Sequence, residues 1–141
     1  MRYFDTSFLT PLVREEKTST RIARFVAGLP TGELAISHWT EVEFASILAR
    51  DVRMRALLAD EAREVDALFG SVVRQSFVVL SPAADDYVLA RRYLRMYQTG
   101  LGAGDALHLA IAANHQAAAV YSLDDTMIKA GKILGLPVSA G

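Results

Sequence analysis

At 141 residues the chain has the size of one ordinary domain, and it is expected to form a single unit over 1–141. With 52% hydrophobic against 22% charged residues it is no disordered chain, because that much apolar surface can offset the entropy lost on folding. It contains no cysteine, which excludes disulfide scaffolds, thiolate metal sites and a cysteine nucleophile, and its net charge of −1 gives no bulk attraction for nucleic acid.

In chain order, Arg2–Asp5 reads as a short first strand. Ser7–Glu16 and Ser19–Leu29 read as helices on either side of a polar break. The turn signal Leu29-Pro30-Thr31-Gly32 leads into a second strand, Leu34–Ser37. Trp39–Arg53 and Arg55–Val73 are helical by their Ala, Leu, Glu and Arg content. Phe77–Leu80 is aromatic and β-branched and stops at Ser81-Pro82, hence a third strand. Pro82–Tyr97 is expected to be helical with proline in its first turn, and Gly104–His115 to be a further helix. Ala118–Ser122 reads as a fourth strand, Asp125–Gly131 as a short helix, and Gly135–Val138 as an edge strand.

Short apolar strands separated by helices predict a mainly parallel sheet buried on both faces, a three-layer α/β/α sandwich. In such folds the functional crevice lies beyond the carboxyl ends of the strands. Acids stand at those ends. Asp5 closes the first strand, Glu43 lies in the helix after the second, Asp105 opens a helix, and Asp124 follows the fourth strand. Each has a local explanation as well: Asp5, Asp105 and Asp124 sit where helix caps are preferred, and Thr40-Glu41-Val42-Glu43 matches a capping box. Together they would crowd one rim of one sheet, where carboxylates repel one another unless a cation sits among them. Oxygen ligands without cysteine or paired histidine suit Mg²⁺ or Mn²⁺ rather than Zn²⁺. Glu43 shares a helical sector with Ser46 and Arg50, whereas Glu41 falls between Ala45 and Leu48, which favours Glu43 as the residue facing the site.

The same residues carry a family resemblance. Tyr3-Phe4-Asp5-Thr6-Ser7, Ser37-His38-Trp39-Thr40-Glu41-Val42-Glu43, Gly104-Asp105-Ala106-Leu107-His108-Leu109-Ala110 and Ser122-Leu123-Asp124 occur in the order seen in PIN domains. The chain resembles the VapC-type toxins among them. The resemblance implies a PIN-like fold and a Mg²⁺- or Mn²⁺-dependent endoribonuclease acting on RNA. It implies Asp5, Glu43, Asp105 and Asp124 as catalytic and metal-binding residues, with Asp125 a competitor for the last position. It also implies a cognate antitoxin. Such a partner is expected to bring a basic side chain to the acids and to lay an apolar helix between the helices of Ser7–Leu29 and Trp39–Val73. The alternatives are a non-catalytic interaction module of the same fold and a metal-dependent DNA nuclease or phosphatase.

Other features point elsewhere. His108 lies one turn from Asp105, but its apolar neighbours favour a buried, hydrogen-bonded histidine over a catalytic base. Thr6 and Ser7 are candidates to cap the first helix or to hold a metal-bound water. The arginine clusters at Arg14–Arg24, Arg50–Arg55 and Arg91–Arg95 read as solvated helix faces, with some near the crevice available to flanking phosphates. The long helices allow a homodimer. No stretch is apolar enough to span a membrane, and an acid at position 5 interrupts any signal-peptide core, so a cytoplasmic address is expected.

Overall fold

The computed structural model describes all residues from Met1 to Gly141. Five strands form one sheet: β1 (Arg2–Phe4), β2 (Leu34–Ser37), β3 (Val78–Leu80), β4 (Ala119–Tyr121) and β5 (Val138–Ser139). Their order is β3-β2-β1-β4-β5, and every neighbouring pair is parallel. The helices are α1 (Thr6–Val13), α2 (Ser19–Ala27), α3 (His38–Arg53), α4 (Ala59–Ser76), α5 (Ala84–Leu94), α6 (Ala103–Asn114) and α7 (Asp125–Leu134). A 3-10 turn occupies Tyr97–Thr99.

The period-two alternation of β1 divides the core. Tyr3 joins a cluster with Leu109, Ile111, Val120 and Met127 beneath α5, α6 and α7. Phe4, the next residue, joins Phe8, Ile36, Phe44 and Phe69 beneath α1–α4. Adjacent residues thus serve opposite faces of one strand, which is the three-layer arrangement expected for a sheet covered on both sides. Phe44 and Phe69 stack at 4.1 Å between ring centroids and join α3 to α4. From Ala106 to Ala112 α6 is buried on every side, as a segment apolar at every position but His108 requires.

Several boundaries differ from the sequence expectations, each for a local reason. The helix expected from Arg55 begins at Ala59, because Arg55 takes a left-handed conformation and the N–H groups of Ala56 and Leu57 turn back to the Asp51 carbonyl. Glu61 then reaches back to the Leu58 N–H at 2.9 Å and starts α4. The helix expected over Pro82–Tyr97 starts at Ala84, after Asp86 accepts from the Ala83 N–H at 2.8 Å. It ends three residues early, where the chain tightens into the 3-10 turn. The first helix stops at Val13 rather than Glu16, and α7 runs on to Leu134, where left-handed Gly135 caps it. That extension moves the last strand from Gly135–Val138 to Val138–Ser139.

The strand order is what positions the site. The chain steps outward from β1 to β2 and β3, then crosses back to lay β4 on the other side of β1. The direction of winding therefore reverses between β1 and β4, and a crevice opens beyond their carboxyl ends. Asp5 leaves β1 there, and Ser122-Leu123-Asp124 leaves β4 beside it.

Candidate functional site

The crevice has a volume of about 260 Å³ and is lined by Asp5, Thr6, Ser7, Glu43, Ser46, Ile47, Asp105 and Asp124. All four acids expected from the sequence face it, and no arginine or lysine does. Glu41 instead pairs with exposed His38 at 2.7 Å, and Asp125 is exposed outside the crevice. Glu43 and Asp124 are thus the residues brought to the rim, and their competitors are not.

Asp5 is 3% exposed and caps α1, accepting from the Phe8 N–H at 3.0 Å. The Ser7 hydroxyl shares its proton between both Asp5 oxygens, at 2.8 and 3.0 Å. The Ser122 hydroxyl donates to Oδ2 at 2.6 Å. Ser122 also accepts from the Asp124 N–H at 3.0 Å, and Ser7 from the Leu123 N–H at 2.8 Å, so two serines tie the end of β4 to Asp5. Burial pushes the Asp5 carboxyl above its ordinary range, against the charge of His108 and the three hydrogen-bond donors that pull it down.

Glu43 is held on one oxygen. Thr6 Oγ1 donates to Oε1 at 2.5 Å, and His108 Nε2 lies 2.6 Å from the same atom. Burial works against the Glu43 charge, but the His108 hydrogen bond and charge, helped by Thr6, hold the carboxyl below its ordinary value. Glu43 takes no part in capping: Ser37 is the N-cap of α3, and its N–H donates to Thr40 Oγ1 at 3.2 Å. The Thr40–Glu43 capping box expected from the sequence is therefore shifted to Ser37–Thr40, which frees Glu43 for the crevice.

Asp105 lies in the first turn of α6, whose N-cap is Gly102, so it is not itself the cap. No donor holds its carboxyl. Burial, with Asp124 next and Asp5 and Glu43 adding smaller repulsions against the His108 charge, pushes it up to about 6. Asp124 caps α7, accepting from the Met127 N–H at 3.0 Å. Cap and site residue coincide at Asp5 and Asp124.

The start of α6 presses against the site. A Cβ on Gly104 would stand 2.7 Å from Glu43 Oε2 and 3.3 Å from Trp39, so only glycine admits this approach. The Trp39 N–H is buried there without a partner. The sequence motifs assign no role to Tyr3 or Ser122. Both are polar residues in or beside buried strands, where a hydroxyl needs a partner, and that is the one signal that marks them. Neither Thr6 nor Ser7 caps α1; each orients an acid instead.

The arginines divide. Arg14 is fixed on Asp51 at 2.6 Å with Arg50 beside it, and neither reaches the crevice. Lys17, Arg21 and Arg24 line a separate groove on α2. An apolar groove of about 410 Å³ opens between α3 and α4, along Ala45, Leu48, Ala49, Val52, Ala59 and Ala62. It lies within the second helical pair, apart from the position expected for a partner helix between the helices of Ser7–Leu29 and Trp39–Val73.

The donor set fits a hard divalent ion. It is oxygen-only, acidic, and open to water on one side. No three acidic or histidine side chains close into a ready coordination cage.

A parallel sheet of order 3-2-1-4-5 with acids at its switch point defines an α/β domain with an acidic site. The chain belongs to the PIN domain family, whose model matches residues 2–133. Among solved structures it is similar to Mycobacterium tuberculosis VapC20, a sarcin-ricin loop cleaving toxin, with a TM-score of 0.74 and 21% identity over 93% of this chain and 95% of that one. It is also similar to a chain of VapBC-1 from nontypeable Haemophilus influenzae, with a TM-score of 0.72 and 15% identity over 99% and 97%. A chain of Rickettsia felis VapBC2, bound to a DNA fragment from their promoter, gives a TM-score of 0.68 and 16% identity over 99% and 98%. No curated protein matches the sequence significantly.

Proposed function

We propose that the chain is a divalent-metal-dependent endoribonuclease and the toxin of a toxin–antitoxin pair. The observation that carries this reading is the convergence of Asp5, Glu43, Asp105 and Asp124 on one crevice that no arginine or lysine lines, with Asp105 pushed up to about 6 by burial and its neighbours. Asp5 and Asp105 would hold a Mg²⁺ or Mn²⁺ ion, and Glu43 and Asp124 complete the set. Such an ion, when bound, lowers the pKa of water and offsets charge on a phosphate. The chain's own groups prepare the site: Ser7 and Ser122 fix Asp5, and Thr6 fixes Glu43.

Hydrolysis here is expected to leave 5′-phosphate and 3′-hydroxyl ends. The competing route, histidine-assisted attack by the RNA 2′-hydroxyl, needs a histidine at the crevice. His108 is buried with Nε2 on Glu43, His38 pairs with Glu41, and His115 Nδ1 lies on the Ile111 carbonyl. None lines the crevice. The choice of RNA rests on the likeness to VapC20. End-group analysis of a short RNA digested with Mn²⁺ and with EDTA tests the reading. Cyclic phosphate ends that persist in EDTA overturn it. Equal cleavage of DNA moves the substrate class, and no cleavage of either favours an interaction module.

The likeness to VapBC chains supports an antitoxin as partner. Its apolar helix would lie in the α3–α4 groove, and a basic side chain would enter the crevice. Exposed Tyr87 and Val88 on α5, with Tyr97 after it, offer a surface for a second copy. Sedimentation of the isolated chain tests that homodimer. No helix is long and apolar enough to cross a membrane.

A further inference from the structure

Behind the crevice lies a buried string of polar groups. Tyr3 OH stands 2.8 Å from Ser37 Oγ and 2.8 Å from His108 Nδ1. His108 Nε2 stands 2.6 Å from Glu43 Oε1. Tyr3, Ser37 and His108 are at most 1% exposed, so none of them reaches a substrate. We propose that His108, itself held by Tyr3, is the positioning residue of Glu43: its Nε2 and the Thr6 hydroxyl occupy Oε1, so that Glu43 offers only Oε2 to a ligand. The proposal rests on the reading of the crevice as a metal site only for its binding readout.

The geometry sets which atoms face one another. A ring nitrogen 2.6 Å from a carboxylate oxygen must carry the hydrogen, so Nε2 is the donor. Nδ1 of a neutral ring then accepts from the Tyr3 hydroxyl, and Nδ1 of a charged ring donates to the Tyr3 oxygen; the Tyr3 contact holds the ring in either state, and Nε2 faces Glu43 in both. Ser37 in turn can donate to the Tyr3 oxygen. Each link satisfies the next, and none has a solvent alternative.

The consequence falls on Glu43. Oε1 takes both His108 and Thr6, while Oε2 accepts no hydrogen bond and lies toward the start of α6, beside Gly104. A glutamate on a helix has three side-chain torsions, and two donors on one oxygen remove most of that freedom. A carboxylate so held presents one oxygen in one direction. Partners of this kind are worth roughly 10- to 100-fold in metal affinity in other sites.

Three measurements on the intact chain decide the matter. Long-range ¹⁵N–¹H spectra of the metal-free protein should report a proton on His108 Nε2, and Tyr3→Phe should change the Nδ1 signal. The Glu43 carboxyl ¹³C shift should move in Tyr3→Phe and in His108→Leu. Calorimetry with Mn²⁺ should show a loss of roughly 10- to 100-fold in His108→Leu, recovered for the most part in His108→Gln, whose amide Nε2 keeps a donor. Tyr3→Phe should weaken Mn²⁺ binding less, and should add nothing in a Glu43→Gln background. A His108 ring without a proton on Nε2, or wild-type Mn²⁺ affinity in folded His108→Leu, overturns the proposal. Should His108→Leu fail to fold, Tyr3→Phe and His108→Gln carry the test, and an unmoved Glu43 signal in both overturns it. Wild-type protein that neither binds Mn²⁺ nor cuts RNA brings down the metal-nuclease reading, while the Nε2 proton and the Glu43 shift still decide the positioning.

Discussion

The two sides of the crevice are built on different principles. On the β1–α3 side, Asp5 accepts from three donors and Glu43 Oε1 from two. On the α6–α7 side, Asp105 has no donor, and Asp124 has only the N–H of its own helix. One side is held before any ligand arrives, and the other is left under mutual repulsion. Both Asp5 and Asp105 are raised, yet donors resist the rise at Asp5, whereas at Asp105 Asp124 adds to it. The held side can define the direction of a bound ion. The unheld side supplies charge that only a cation or a proton can relieve.

The sharpest way to break this comparison is at its most constrained member. Asp5→Asn keeps the shape but removes the charge. It is expected to lower Mn²⁺ affinity and RNA cleavage by roughly a hundredfold or more, with the fold retained. Calorimetry, a cleavage assay and circular dichroism check the three parts. Wild-type affinity in the variant would remove Asp5 from the ligand set.

Glu43→Gln should come close behind, and Glu41→Gln should do nothing, because Glu41 faces His38 away from the crevice. Growth inhibition on expression separates them cheaply. Equal effects would mean that helix α3 is misassigned in register.

Asp105 tests the repelled side through pH. Its carboxyl sits at about 6, above the ordinary 3.8, so the folded state binds this proton more tightly than the unfolded state. The contribution of Asp105 to the stability of the metal-free protein should therefore be lost as pH rises from 3.8 to about 6, and Asp105→Asn should remove that contribution from the pH dependence of melting. The same proton competes with a cation. Apparent Mn²⁺ affinity and cleavage by the wild type should accordingly rise with pH through about 6. A pH dependence of melting in EDTA that is the same in wild type and Asp105→Asn across this window contradicts the assignment.

Gly104→Ala probes where the two sides meet. The added methyl would stand 2.7 Å from Glu43 Oε2, so Glu43 must shift or α6 must retreat. Overpacking of this kind costs about 1–3 kcal/mol, and a moderate loss of cleavage is expected alongside it. Unchanged stability and activity would show the contact to be slack.

Ser122→Ala should have the smallest effect. It removes one of three donors from Asp5 and should cost about 1 kcal/mol in thermal or chemical unfolding. It should also raise the Asp5 carboxyl further, because that hydroxyl holds it down. A carboxyl titration by NMR that moves the other way would contradict this ordering of donors.

Much of this is legible locally. Short apolar runs alternating with helices point to a buried, mainly parallel sheet, because helical crossovers between successive strands cover both faces. From that rule alone the acids fall at the carboxyl ends of the strands. The polar sector of α3 separates Glu43 from Glu41 by periodicity. Local chemistry also misleads, since Thr40 to Glu43 has the spacing of a capping box while the chain caps α3 one turn earlier, at Ser37. The length of the helix after Pro82 goes astray likewise, because an ending set by a 3-10 turn carries no hydrophobic period.

What the tertiary structure alone decided is which distant residues meet. His108 reaches Glu43 across 65 positions, Ser122 reaches Asp5 across 117, and Tyr3 reaches His108 across 105. Periodicity and capping act over a turn or two and say nothing about strand order. Only the order β3-β2-β1-β4-β5 puts the end of β4 against the start of α1 and brings α6 beneath β1. The sequence determines that four acids stand at the edge of a sheet. Packing decides that two are clamped and two are not, because hydrogen-bond donors are supplied by whichever elements the sheet order makes neighbours.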